Sequence, residues 1–280
     1  MLISRSNRKQ KIYIFIIEIF LLIFVLLINL PFFWMISASF KMKDEVLAFP
    51  PTVFPSRINL GGYIYIWTLV PFARYFLNSI IVSVSIAISK IILSSIAAFA
   101  FAKIPFKGKD TIFYIFLGTM MIPFEVIVIP NYIIVSGLHW LDTYWALIIP
   151  FVVGAFSIFL LRQFFMGIPR DLDDAAEIDG AGKLKYLFSI IYPLSKPALL
   201  TVGLYAFLAS WNSFLWPLIV TNKDEMRVIQ IGLKALQDSW MIEWNALTAA
   251  STLATVPIII LFFFVQKQFL EGISITGLKA

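Results

Sequence analysis

The 280-residue chain contains no cysteine and a single histidine, His139. The first absence excludes disulfides, thiolate metal sites and a cysteine nucleophile; the second excludes a histidine-based metal cluster. The chain is also poor in charge. Only 14% of residues are Asp, Glu, Lys or Arg, while 60% are hydrophobic, against about 25% and 45–50% in an average soluble domain. No G-x-x-x-x-G-K-[ST] occurs, so the chain has no phosphate-binding loop of its own for ATP. H-E-x-x-H and G-x-S-x-G are missing as well. Its scattered Asp, Glu and Asn form no convergent nucleophile, base or metal set, which argues against an intramembrane enzyme.

What the chain has is long apolar runs. A bilayer is crossed by about 20 apolar residues at 1.5 Å each, and six stretches qualify: about 14–37, 76–101, 112–135, 143–161, 198–220 and 246–265. The expected fold class is all-α, a polytopic membrane protein read as a single domain of six spans. The first apolar stretch is too long for a signal-peptide core and lacks a small-residue cleavage site after it. Lys and Arg set the orientation. With both termini inside, 14 fall inside and seven outside, and Lys90 within a span completes the 22. The net charge of +6 is then a topology signal and implies no nucleic acid. The largest outside segment, about 39–72, reads as an irregular loop with short pieces of structure, since it holds Pro50, Pro51, Pro55, Gly61 and Gly62. A second polar outside segment covers 221–245.

One inside segment differs from its surroundings. In DLDDAAEIDGAG, residues 171–182, five of the 16 acidic residues fall within nine positions: Asp171, Asp173, Asp174, Glu177 and Asp179. Pro169 suits the first turn of a helix. Three aspartates then lie at the positive end of the helix dipole, each gaining about 0.3–1 kcal/mol. Leu172, Ala175, Ala176 and Asp179 share one face by spacing, and Gly180 and Gly182 offer the left-handed conformation that ends helices. A second helix is expected from Lys183 to Ile191, stopping before Pro193. An ordinary loop between spans would be short and basic. A helix resting on lipid would carry Lys and Arg, because acids are repelled by the anionic inner leaflet. Acidic groups among small residues fit a protein partner approached closely on the inner side.

The spacing has a family likeness. Asp174-Ala175-Ala176, three residues, Gly180, nine residues, Ile190, one residue, Tyr192 and Pro193 resembles the EAA loop of ABC-importer permeases, with Asp for Glu and Tyr for Leu. Asp179-Gly180-Ala181, Phe188, Pro193 and Pro197 extend the match. Further stretches resemble maltose-type carbohydrate permeases in order: Ser39-Phe40-Lys41 with Glu45, Pro50-Pro51 and Pro55; Asn78-Ser79; Met121-Ile122-Pro123 with Pro130; Leu161 to Phe165; Trp211-Asn212 with Pro217-Leu218; and Gln266 to Phe269, Gly272, Gly277 and Lys279.

The resemblance implies a binding-protein-dependent importer of a mono- or oligosaccharide in a bacterial or archaeal cytoplasmic membrane. The implied partners are a second related permease, two ABC ATPase subunits that use ATP and Mg²⁺, and an extracytoplasmic solute-binding protein. This chain would bind no cofactor and perform no catalysis. Its loop at 169–197 would hold the coupling helix. Asp174 and Glu177 would dock on an ATPase, Ala175 and Ala176 would pack closely there, and Gly180 would set the turn, with Asp179, Ala181, Ile190 and Pro193 completing the motif. Along the substrate path, intramembrane polar residues are the candidates: Glu125 between two prolines, Asn131, Asn212 and, as a stacking surface, Trp211. Lys90 and Glu18 are read as snorkelling or facing protein. The same machinery carrying glycerol 3-phosphate or another polyol derivative is the near alternative. A stand-alone secondary transporter, which would show inverted repeats and need no docking loop, is the distant one.

Overall fold

A computed structural model describes the backbone of residues 8–238 and 243–277 and the side chains of 12–238 and 243–267. Arg5 and Lys279 lie outside the described residues, as do the side chains of Arg8, Lys9, Lys11 and Phe269. The described residues are helical or irregular, with no strand.

Three helices are individually long and apolar enough to cross a membrane: α1 (Arg8–Ser39), α3 (Phe72–Lys103) and the apolar part, Trp244–Lys267, of α13 (Trp244–Gly277). Three more candidates are bent pairs. Lys109–Met121 (α4) meets Phe124–Gly137 (α5) at 100°, Tyr144–Phe151 (α6) meets Ala155–Met166 (α7) at 43°, and Lys183–Leu194 (α9) meets Lys196–Trp211 (α10) at 87°. Six spans are reached when each pair counts as one. Each break has a chemical cause. Pro123 brings no N–H to the α4–α5 joint, Gly154 precedes α7 in an extended conformation, and Pro197 sits in the first turn of α10. The stretch expected as one span over 198–220 is interrupted at 212–214, where Asn212 caps α10 before α11 (Leu215–Val220) begins.

The chain packs as two compact units. The first, residues 1–69 with 236–253, contains α1, the outside loop and α2 (Gly61–Leu69). Most α1 side chains from Ile12 to Phe33 are exposed and apolar, as suits a surface facing lipid or a partner. The loop that follows is ordered by two charges. Lys41 is 1% exposed; its ammonium lies 4.3 Å from the Trp34 ring centroid and donates to the Thr52 carbonyl. Glu45 accepts from the Ser56 N–H at 2.8 Å and the Ser56 hydroxyl at 3.2 Å. Gly62 lies against the backbone of Asn245, where a Cβ would sit 2.8 Å from the carbonyl oxygen.

The second unit, 70–235 with 254–280, is organised around α3, which packs along α10 and α7. Small residues let these helices approach, as in other membrane bundles: a Cβ on Gly203 would stand 2.8 Å from Ile91 Cδ1. At one end, Phe99, Phe113, Leu161, Phe165, Leu187 and Val202 form a buried cluster. Toward the other, Val82, Ile86, Leu147, Trp216 and Val220 form a second. The Asn78-Ser79 pair fastens the segment before α12 (Ile229–Gln237). Asn78 Nδ2 donates to the Glu225 and Arg227 carbonyls, each at 2.8 Å, and Ser79 Oγ accepts from the Ile229 N–H at 2.8 Å. Asn78 is itself oriented by the Tyr144 hydroxyl, which donates to its Oδ1 at 2.6 Å.

Candidate functional site

The acidic segment forms α8 (Asp171–Ile178), with Asp171, Asp173 and Asp174 in its first turn. Pro169 stands before the helix, its carbonyl accepting from Leu172 at 3.4 Å. The helix ends in a Schellman motif. Gly180 is left-handed at φ +68, its N–H donates to the Glu177 carbonyl at 3.0 Å, and the Ala181 N–H reaches back to the Ala176 carbonyl at 2.9 Å. Gly182 has φ −62 and is extended, so only one of the two glycines serves the turn.

The underside of α8–α9 is fixed to this chain. Ala176 is buried with Phe99, Tyr186 and Leu187, and Ala181 packs against the same cluster. Ala176 thus makes its close contact inside the chain, and of the expected alanine pair only Ala175 is left facing out. Asp173 also turns inward. Its Oδ2 meets Lys103 Nζ at 2.9 Å, and its Oδ1 accepts from the Tyr186 hydroxyl. Lys103 donates in addition to the Ile168 carbonyl at 3.0 Å, with its side chain only 9% exposed. Charge-assisted bonds shielded from water are the strong class. Lys103, counted by sequence only for its sign, is therefore a structural anchor.

The upper side is free. Asp174, Ala175, Glu177 and Asp179 are exposed. Beside them stand Ile178 at 85% exposure, Leu184 at 61% and Phe188 at 45%. Sequence reasoning passed over Ile178 and Leu184 and named Phe188 only as part of the motif; their signal was apolar residues inside an otherwise polar, small-residue loop. Glu177 pairs with Lys183 at 3.9 Å in the open, a contact of little energetic weight. α9 does not stop before Pro193. It runs to Leu194 through a π-helical turn at Leu187–Ile191, whose wider winding precedes the proline where an α turn would press its ring on the Ser189 carbonyl. Ile190 is half-buried against the core and Pro193 is exposed.

The four path candidates stand in different surroundings. Glu125 is exposed in the first turn of α5, and Asn131 is half-buried a turn and a half further along. Asn212 is exposed at the end of α10, its amide donating to the Leu208 carbonyl at 2.9 Å. Trp211 is 1% exposed. Phe207 stacks on it at 5.5 Å, Phe76 meets it edge-on at 5.7 Å, and its Nε1 donates to the Ala254 carbonyl at 3.1 Å. Its ring is core, with no face for a sugar in this conformation. Between these helices lies instead a cavity of about 210 Å³ whose polar lining is Ser79, Ser83, Lys90, Ser210 and Ser213. None of the four candidates lines it, although Phe124 and Ser213, their neighbours in sequence, do.

Comparison with known proteins agrees with this architecture. Residues 90–274 match the family described as binding-protein-dependent transport system inner membrane component. The chain is 32% identical to the arabinooligosaccharides transport system permease protein AraQ of Bacillus subtilis, over 98% of this chain and 99% of that protein. It is 34% identical to the trehalose/maltose transport system permease protein MalG of Thermococcus litoralis, over 89% and 91%. It is 32% identical to the sn-glycerol-3-phosphate transport system permease protein UgpE of Escherichia coli, over 90% and 93%. A chain in the crystal structure of a bacterial ABC transporter involved in the import of the acidic polysaccharide alginate has the same fold, with a TM-score of 0.82 at 24% identity over 95% of this chain. With a matched family region covering well over half of its length and relatives aligned nearly end to end, the chain belongs to the inner-membrane components of binding-protein-dependent transport systems.

Proposed function

We propose that this chain is the sugar-translocating permease of an ABC importer, with α8 as its coupling helix. The observation that carries the reading is the two-sidedness of the α8–α9 arm. Ala176, Asp173 and Tyr186 bind its underside to the chain's own core, while Ile178, Leu184, Asp174 and Glu177 stand out from it. A rigid knob with an apolar centre and an acidic rim is what a docking contact with a soluble subunit needs. Both termini and this arm lie on the cytoplasmic side, in keeping with the Lys and Arg bias, and the bent pairs each act as one span. The arm seats in an ABC ATPase, two copies of which bind ATP and Mg²⁺. A second permease completes the membrane part, and an extracytoplasmic solute-binding protein delivers the substrate. Closure of the ATPases moves α8, and the helices attached to it alternate between inward- and outward-facing states.

A mono- or oligosaccharide is the substrate class, on the names of AraQ and MalG. The likeness to UgpE supports a second reading, glycerol 3-phosphate or a related polyol derivative. The test is purification of the tagged chain from native membranes in mild detergent, beside the double variant Asp174→Lys, Gly180→Trp and the double variant Ile178→Asp, Leu184→Asp. A second permease and a P-loop ATPase are expected with the parent, and loss of the ATPase alone with each variant. Sugar-stimulated ATP hydrolysis by the parent complex then follows. A stable chain that arrives alone would favour the self-sufficient secondary transporter.

A further inference from the structure

We propose that the cavity around Lys90 is a wet, electropositive station that receives an anionic group, a carboxylate or a phosphate, on the transported molecule. Lys90 lies about 20 Å along α3 from Lys103 and about 27 Å from Phe72, which is the middle of the span. A charge there is costly unless it faces protein or water and meets a counter-charge. Its surroundings are prepared for it. Gly154 makes room for the lysine stem, since a Cβ there would stand 3.3 Å from Lys90 Cε and 3.5 Å from Nζ. Four serines share the cavity with it, and Ser83 Oγ donates to Ser210 Oγ at 3.2 Å. Hydroxyls solvate an ammonium and also bind sugar hydroxyls, but they do not neutralise it. The lining holds no carboxylate, and among the described residues no ion pair involves Lys90. The missing partner is therefore an anion from outside the chain. The space of about 210 Å³ is below the usual range for a drug-sized ligand and suits a single ring or a three-carbon polyol. All the lining residues belong to one compact unit of this chain, which favours a small ligand over a side chain of the second permease.

The inference rests on the transport reading, and its test exploits the absence of cysteine. Ser210→Cys is introduced into the assembled complex in membrane vesicles, with Ser189→Cys on the exposed arm as a control. Each is treated with an anionic and a cationic methanethiosulfonate reagent, and labelling of this chain is read by mass spectrometry. Ser210→Cys is expected to react, with an anionic-to-cationic rate ratio that falls roughly tenfold or more when Lys90→Met is added. Lys90→Arg, which keeps the charge, is expected to retain the ratio. Glucuronate or glycerol 3-phosphate is expected to slow the labelling where glucose at the same concentration does not, and whichever anion protects distinguishes the acidic sugar from the phosphate ester. An inert Ser210→Cys beside a reactive control, a ratio unmoved by Lys90→Met, or protection by glucose equal to that by both anions overturns the proposal. Failure of the importer reading itself shows separately, as absence of the ATPase from the purified complex.

Discussion

Asp173→Asn tests whether the acidic segment is anchored by charge. The wild-type carboxylate meets Lys103 Nζ at 2.9 Å and accepts from the Tyr186 hydroxyl, with side-chain exposures of 28% for Asp173 and 9% for Lys103. Exposed ion pairs are worth about 0–1 kcal/mol, whereas breaking a fully buried one costs about 3–5 kcal/mol. A pair shielded to this degree falls between, at about 2 kcal/mol, because Lys103 keeps only the Ile168 carbonyl as a partner. That corresponds to roughly a 30-fold rise in local opening of α8. Hydrogen exchange of the 171–178 amides in the assembled complex reads it directly, with α3 as internal reference. Lys103→Met alone should cost a similar amount, and the double variant should lose little more than either single, leaving a coupling of about 2 kcal/mol. Additive effects, with coupling under about 0.5 kcal/mol, would refute the anchor and leave α8 held by Ala176 and its apolar neighbours alone.

Three further outcomes follow from the geometry. Gly180→Ala should cost about 1–2 kcal/mol from backbone strain alone, because φ is +68 and no atom lies within 4 Å of the added Cβ; faster exchange of the Ala181 amide would record it, and Gly180→Asn should be milder. Gly203→Ala places a methyl 2.8 Å from Ile91 Cδ1 and should lower the thermal midpoint of the complex by an overpacking cost of about 1 kcal/mol or more, an effect relieved when Ile91→Val removes that atom. The Ser56 backbone N–H, ahead of the Ser56 hydroxyl, holds the Glu45 carboxyl below its ordinary value. A depressed folded value means that the clasp's stabilisation is complete above the unfolded carboxylate pKa and disappears as pH falls through the lower one. Protection of the Ser56 amide, corrected for intrinsic exchange, should therefore persist to below the usual carboxylate range, and loss at or above that range would contradict the clasp.

Long apolar runs and loop chemistry were legible because each depends on local sequence. α1, α3 and α13 follow from hydropathy, and the Schellman turn follows from a glycine placed after a short acidic helix. The breaks within the other spans were harder to see: Pro123 was quoted for its motif and Pro130 also stands in α5, yet only packing decides which proline ends a helix. The direction of a side chain was least visible. Ala175 and Ala176 are identical in type and adjacent, and a rotation of about 100° per residue sends one outward and the other into the core. Trp211 and Lys90 make the same point in opposite senses. Aromatic type drew attention to the first, whose ring is enclosed by Phe207 and Phe76. The second was read as snorkelling or facing protein; it faces protein, and Gly154, remote in sequence, is what gives it space.

The right-angled joint at Ser195 has a mechanical consequence. α9 and α10 meet there at 87°, and Ser195, fully buried, carries both helices: its N–H donates to the Ile191 carbonyl at 2.9 Å and its carbonyl accepts from Leu199 at 3.0 Å. The two limbs form a bell crank with arms of about 18 Å and 24 Å at 1.5 Å per residue. Turning such a piece by 10° carries the tip of the short limb about 3 Å and swings the far end of the long limb about 4 Å at right angles to it. If the arm is the coupling element proposed above, a push on it would emerge as sideways travel of Trp211 and of the α3 surface packed along α10. In the proposed coupling role, the same stroke would also reach residues 225–229, which Asn78 and Ser79 hold by three hydrogen bonds.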